Sequence, residues 1–342
     1  MRKKNDNSSL AAVKGMVLTI FLLVVAACQY NEVITLKDNT QQQNKKVLLI
    51  GHRGAAGLAP ENTLAAFRQA CEIGVDAVEL DVFLTADQKI VVHHDYTLKP
   101  EIARTADDKW IKAGSDLAIN ALTLAQLKQY DVGRLKPNTR YASRYPEQQP
   151  VDGQRIPTLR EVVSLIKKQC GPATQLWIEI KTSPEKPDLT PSPEVVANAV
   201  VNIVRKEKIS ARVFMLSFDW RVLVHVQKIA PGIPTVYLSL IGTSLNNIKP
   251  GQPGISPWTA GIDIDDYKGS IPQAVKAAGG RYWAQYYKQL TAEDLKVAHK
   301  LGIQVFVWTV DSTREMVRLI EMGVDGIITN RPDLFQKIFN AS

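Results

Sequence analysis

From residue 47 onward the chain repeats one unit: a short run rich in β-branched and aromatic residues, then an amphipathic segment of helical period. The runs are VLLIGH (47–52), DAVELDV (76–82), QLWIEIK (175–181), RVFMLS (212–217), PTVYLS (234–239), RYWAQ (281–285), QVFVWTV (304–310) and DGIIT (325–329). Between them lie segments such as NTLAAFRQACEI, LREVVSLIKKQ, PEVVANAVVNIVRKE and STREMVRLIEMG, with Gly74, Gly302 and Gly323 placed to end helices. Strands separated by helices pair in parallel through crossovers. Eight such units in one chain predict an α/β fold of the (β/α)8, TIM-barrel type. A doubly wound open sheet is the structural alternative.

One segment breaks the rhythm. IVVHHD follows DAVELDVFLT after a few residues, too short a gap for a parallel crossover, so it returns antiparallel as a β-hairpin carrying His93 and His94. A connection of even length, such as 85–88, sets Leu84 against Lys89 and brings His94 opposite Glu79. An odd connection brings His93 to that face instead. Residues 96–157 then form a long excursion, read as a subdomain inserted after the second strand, over the face where barrel enzymes place their sites. The Gly-, Pro- and Ser-rich stretch 241–263 is a second candidate wall.

The amino terminus follows a different pattern. Arg2, Lys3, Lys4 and Lys14 precede or flank the apolar run 15–27, which is short for a bilayer span and suits a signal-peptide core. Val25-Ala26-Ala27-Cys28 resembles a bacterial lipobox. The expected organisation is a signal peptide over 1–27, a tether over 28–46 lipidated at Cys28, and a barrel over 47–342. Gln29 follows the cysteine where an inner-membrane retention signal would place Asp, which points to the outer membrane, facing the periplasm. Cleavage removes four basic residues and one acid, leaving 38 Lys and Arg against 33 Asp and Glu, a net +5 in place of +8. That charge is dispersed, so nucleic acid is not an expected partner and no protein partner is implied. Cys71 and Cys170 can pair in an oxidising compartment, but Cys71 lies in a periodic run and is read as a buried small apolar residue. No zinc-thiolate spacing is present.

Glu79 and Asp81 share one strand face, with Val78, Leu80 and Val82 on the other, and Glu179 and Lys181 repeat the pattern in IEIK. Carboxylates brought together repel by about 4 kcal/mol per pair at 4 Å and an effective dielectric near 20. A hard divalent cation, Ca²⁺ or Mg²⁺, relieves that repulsion, as a salt-bridge cluster with Lys181 and Arg53 also would. In IGHRGAAGLAPENT, Gly51 and Gly54 permit a tight turn that presents His52 and Arg53 at the strand end, and Asn62 or Thr63 caps the next helix. A cation, a guanidinium clamp and two imidazoles are the parts that phosphodiester cleavage needs. No GxSxG, HExxH, P-loop or GxGxxG is present to carry another chemistry.

HRG-x5-PENT, ELDV-x-LT, VVHHD, IEIK, FMLSFD, VWTVD and GVDGIITNRPD, in this order over roughly 47–338, resemble the glycerophosphodiester phosphodiesterase family. The resemblance implies a metal-dependent barrel enzyme that hydrolyses glycerophosphodiesters to sn-glycerol 3-phosphate and an alcohol. By position it assigns Glu79, Asp81 and Glu179 to the metal, His52 and His94 to acid–base catalysis, and Arg53 and Lys181 to the phosphate. It selects His94 over His93 and, with it, the even connection. Trp308 and Trp283 each suit either pocket or core, Trp308 being the candidate substrate contact, and His225 and His299 suit the surface. The chain departs from the family in having Asp87-Gln88 where Asp-Gly is common, and in three extra residues before Arg104. Two alternatives accompany this reading: a lysophospholipase D or phospholipase C-like activity on acylated lipid, and a lipoprotein that binds glycerophosphodiesters without cutting them.

Overall fold

A computed structural model of the chain describes residues 46–340. The expected signal segment, the expected lipidation site Cys28 and the expected tether up to residue 45 lie outside the described residues. Eight parallel strands close a barrel: β1 (Leu48–Gly51), β2 (Ala77–Leu84), β4 (Gln175–Ile180), β5 (Val213–Ser217), β6 (Thr235–Ser239), β7 (Tyr282–Tyr286), β8 (Gln304–Trp308) and β9 (Gly326–Thr329). Closure comes from β1, which pairs with β9 on one side and β2 on the other, so an open sheet is ruled out. The helices outside it are α1 (Leu64–Ile73), α3 (Leu159–Gln169), α4 (Pro193–Lys206), α5 (Trp220–Ile229), α6 (Ile271–Ala277), α7 (Ala292–Lys300), α8 (Thr313–Met322) and α9 (Pro332–Asn340). The short α2 (Leu124–Leu127) belongs to the insertion.

Strand alternation sorts the residues into layers. Val78, Leu80, Val82, Ile178 and Ile180 point outward into the apolar layer beneath the helices. Ile50, Ala77, Trp177, Leu216, Val236, Ala284, Phe306 and Ile328 fill the barrel interior. Trp283 joins the outer layer and donates from Nε1 to Ser239 Oγ at 2.7 Å, which makes it core and not pocket. The insertion has its own apolar cluster, in which Leu98, Ala103, Ile111, Ile119, Leu127 and Ile156 pack on Phe83 and Val91 of the hairpin.

The hairpin corrects one expectation. β3 (Ile90–Val92) pairs antiparallel with β2 in the register Val82↔Val92, Phe83↔Val91 and Leu84↔Ile90. The connection is therefore 85–89, odd in length. Gln88 adopts φ 59° there, the left-handed position that the more usual glycine would take. By alternation alone this register presents His93 to the acids, and the His93 N–H does donate to Asp81 O at 3.0 Å. Yet the strand ends at Val92 and the chain bends over 94–96, so alternation no longer governs the two histidines.

Cys71, near the end of α1, and Cys170, the C-cap of α3, form a disulfide with a Cα–Cα distance of 4.7 Å and a sequence separation of 99. Cys71 is thus a cross-link between neighbouring helices and not simply a buried apolar residue. Closing a loop of this length constrains the unfolded chain strongly. Cys71→Ser is expected to lower stability by about 2–5 kcal/mol. Urea unfolding under non-reducing conditions measures it; an unchanged midpoint would show that the bond contributes nothing.

Candidate active site

The turn after β1 places the first pair of groups. A Cβ on Gly51 would lie 2.3 Å from Gly54 O, and one on Gly54 would lie 2.6 Å from the Ala66 carbonyl carbon. Gly54 also has φ 86°, so the turn and its close approach to α1 both need glycine. Between them, Arg53 sits at φ 51°, held by its N–H donating to Glu79 Oε2 at 2.8 Å and its carbonyl accepting from Asn62 N at 3.0 Å. Its guanidinium donates to Glu61 Oε1 at 2.9 Å, and its Nε lies 3.6 Å from Asp81 Oδ2. Thr63, not Asn62, caps α1; Asn62 turns inward and donates to Asp81 Oδ2 at 2.9 Å.

Glu79 and Asp81 project inward from β2 and Glu179 from β4, with Asp81 and Glu179 directly paired in register. All three are buried, and they offer oxygens that lie within 4.8 Å of one another. Lys181 Nζ stands 2.9 Å from Asp81 Oδ1 and 2.5 Å from Glu179 Oε1. Burial, with Asp81 and Glu179 beside it, raises the Glu79 carboxyl well above the usual range. Burial likewise pushes Glu179 up to about 7, against the pull of Lys181. At Asp81 burial is overcome by Lys181, His94 and Arg53, which hold it well below the usual carboxylate range.

The charges decide what can fit. Glu61, Glu79, Asp81 and Glu179 are four carboxylates against the two cations Arg53 and Lys181, a surplus of two negative charges. A divalent cation balances that surplus, and the all-oxygen donor set suits a hard one. With no ion bound, the surplus is relieved instead by protons, since burial and the neighbouring carboxylates raise Glu79 and Glu179. The residues present therefore fit a metal held by Glu79, Asp81 and Glu179.

Both predicted histidines reach the same pocket. It is lined by the ionisable His52, Arg53, Glu79, His94, Glu179 and Lys181 and by the apolar Leu216, Phe218, Leu238, Trp308 and Ile328. His52 Nε2 lies 4.0 Å from Glu79 Oε2, and its Nδ1 is 2.7 Å from Asn330 Oδ1. His94 Nδ1 is 3.1 Å from Asp95 Oδ1, and Asp95 Oδ2 in turn pairs with Lys99 at 2.7 Å. Burial, reinforced by Arg53, pushes the His52 imidazole down to about 3; burial, Arg53 and Lys181 lower His94 as well. His93 is buried elsewhere, in a neighbouring cleft with Pro60, Asn62 and Ile156, its Nε2 3.4 Å from Thr97 O.

The apolar lining has Trp308 edge-on to Phe218 at 5.4 Å, with Lys181 over the Phe218 ring at 5.9 Å. Every residue assigned to the site from sequence lines this pocket or borders it: His52, Arg53, Glu79, Asp81, His94, Glu179, Lys181 and Trp308. His225 and His299 bond Asn198 and Asp325, away from the pocket. The residues that sequence reasoning passed over are partners of these groups: Glu61, Asn62, Asp95, Tyr141, Asp311 and Asn330. Five of them lie inside motifs already singled out, Glu61 and Asn62 in PENT, Asp95 in VVHHD, Asp311 in VWTVD and Asn330 in IITNRPD, with Asn62 read only as a cap. Tyr141 lies in the insertion, with no motif around it, and donates to Glu61 Oε2.

Comparison with known proteins fits this geometry. Residues 52–334 match the model of the Glycerophosphoryl diester phosphodiesterase family. A glycerophosphodiester phosphodiesterase of Caldanaerobacter subterraneus subsp. tengcongensis is 31% identical over 288 residues, covering 84% of this chain and 96% of the relative. One of Bacillus subtilis is 27% identical over 340 residues, covering 95% and 98%. A crystal structure from Silicibacter pomeroyi DSS-3 carrying the same family name superposes with a TM-score of 0.76 at 34% identity, covering 87% of this chain and 94% of that one.

Proposed function

Because this chain belongs to the glycerophosphoryl diester phosphodiesterase family, we propose that it hydrolyses glycerophosphodiesters to sn-glycerol 3-phosphate and an alcohol in a metal-dependent, histidine-catalysed reaction. One observation carries this reading: three carboxylates, two imidazoles, a guanidinium and an ammonium converge on one pocket that apolar side chains also line. A divalent ion held by Glu79, Asp81 and Glu179 would supply Lewis-acid stabilisation of phosphate charge. Arg53 and Lys181 would bind the non-bridging phosphate oxygens, Arg53 through its planar fork.

The partners of the two histidines divide their roles. His52 faces a neutral amide at Nδ1, which suits a base that must give its proton away again. His94 faces the Asp95 carboxylate, which stabilises an imidazolium and suits the acid. In the proposed reaction His52 takes the proton from the glycerol 2-hydroxyl. The resulting oxygen bonds to phosphorus as the bond to the leaving alcohol breaks, and His94 protonates that alcohol. Water then opens the cyclic phosphate with the roles reversed: His94 takes its proton and His52 returns one to the 2-oxygen.

The lining sets the ionisable His52, Arg53, Glu79, His94, Glu179 and Lys181 beside five apolar side chains, and the similarity to glycerophosphodiester phosphodiesterases supports a deacylated substrate over an acylated one. Lipid anchoring at Cys28 and an envelope location belong to the same reading. The signal-like run 15–27 supports them, as does the Cys71–Cys170 disulfide, a bond that persists in oxidising compartments. The test is an assay of the purified chain with glycerophosphocholine and with lysophosphatidylcholine, each with Ca²⁺ or Mg²⁺ and detection of sn-glycerol 3-phosphate. Release of that product from glycerophosphocholine is expected. Cleavage of the lysolipid alone, or binding without turnover, would overturn the proposal.

A further inference from the structure

We propose that Asn330, oriented by Asp311, is a positioning residue that fixes the tautomer of His52 and so aims its unprotonated Nε2 into the pocket. The inference rests on the phosphodiesterase reading for its kinetic part and on geometry alone for its structural part.

The amide of Asn330 is tied at both ends. Its Nδ2 lies 2.7 Å from Asp311 Oδ2, and its backbone N–H donates to Asp311 Oδ1 at 2.8 Å. The Thr329 hydroxyl donates to the same Oδ1 at 3.1 Å. A carboxylate only accepts, so three donors around Asp311 oblige the Asn330 amide to turn its NH₂ toward that residue. Its carbonyl Oδ1 must then face His52 Nδ1, at 2.7 Å. A carbonyl oxygen also only accepts, so Nδ1 must carry the ring proton, and a neutral ring then keeps its lone pair on Nε2. That nitrogen faces the pocket beside Glu79.

The arrangement differs from that of the other histidine in an instructive way. Asp95 bonds His94 directly, whereas Asp311 reaches His52 only through a neutral amide. The relay fixes the ring without placing a further negative charge against it, in a pocket that already holds a surplus. Asn330 is 5% exposed, and Asp311 stands at the surface, where water can take over its bonds if its partner is lost. Changes at either position therefore have a path to leave the barrel intact.

The experiment uses the full chain with ¹⁵N-labelled histidine, the His52 signals being assigned by their loss in His52→Gln. In the wild type, ring ¹⁵N shifts are expected to show a protonated Nδ1 and an unprotonated Nε2. Asn330→Leu keeps the shape and removes the acceptor; it is expected to move His52 toward the Nε2–H tautomer. Turnover should fall by roughly 10–100-fold with KM changed by less than about threefold, since a base in the wrong tautomer loses its function while binding survives. Asp311→Asn, which frees the amide to rotate, should act in the same direction more weakly, and it replaces Asn330→Leu as the deciding variant if that chain fails to fold. A wild-type ring protonated on Nε2, or a deciding variant with wild-type tautomer and turnover, would overturn the proposal. If the wild type cleaves no glycerophosphodiester, the functional reading fails while the tautomer measurement still decides the structural part.

Discussion

His94→Ala is expected to lower turnover of glycerophosphocholine by about 10²–10⁴-fold, and His52→Ala by a similar factor, with the fold retained in both. Each ring has one hydrogen-bond partner and one edge open to the pocket, so neither deletion strands a large buried group. Equal losses do not reveal which ring is the acid; the leaving group does. Choline departs as a poorly stabilised alkoxide unless it is protonated, whereas p-nitrophenolate needs no proton. On the p-nitrophenyl ester of glycerol 3-phosphate, followed as p-nitrophenolate release in the first turnover and so before His94 is needed to open the cyclic phosphate, His94→Ala should recover to within about tenfold of wild type, and His52→Ala should remain defective, because the 2-hydroxyl still needs a base. Recovery of His52→Ala with continued failure of His94→Ala would exchange the two roles. Near-normal turnover of glycerophosphocholine by either variant would remove that histidine from the mechanism.

What could be read from the sequence divides along the reach of each signal. Alternation in 76–82 and 175–181 put Glu79, Asp81, Glu179 and Lys181 on the inner face because period-2 geometry holds throughout an intact strand, and the structure agrees. The same logic misplaced the hairpin. It treated His93 and His94 as strand residues, but β3 stops at Val92, and a bend rather than parity carries His94 to the pocket. The Cys71–Cys170 bond was open because it depends on α1 lying against α3, a packing fact with no local trace 99 residues apart. Tyr141 was missed for the same reason. It meets Glu61 across 80 positions from within a segment that has no periodicity to extrapolate. Asn330 and Asp311 were visible as motif letters, but their use depends on β1 closing the barrel against β9, which brings residue 330 to His52.

Removing divalent ions is expected to abolish turnover, with Ca²⁺ or Mg²⁺ restoring it, and the loss should have a pH signature in stability as well as activity. Without a cation, Glu179 ionises at about 7, against an ordinary value near 4.5, because burial disfavours its charged form. Its folded-state affinity for protons therefore exceeds that of the unfolded chain across this interval. Stability of the metal-free protein should be highest below about pH 4.5, as far as this group is concerned, and should fall as pH rises toward 7. The contribution of this one buried carboxyl is bounded at about 3 kcal/mol. Metal binding opposes the trend, since the ion favours the charged carboxylates that protons would otherwise neutralise. Addition of Ca²⁺ should consequently raise Tm more at pH 7.5 than at pH 5. Glu179→Gln should flatten the metal-free slope and weaken metal affinity together, because one carboxylate underlies both. Activity that survives chelation, or a Ca²⁺-induced Tm shift that is the same at both pH values, would break the link between these acids and a bound ion.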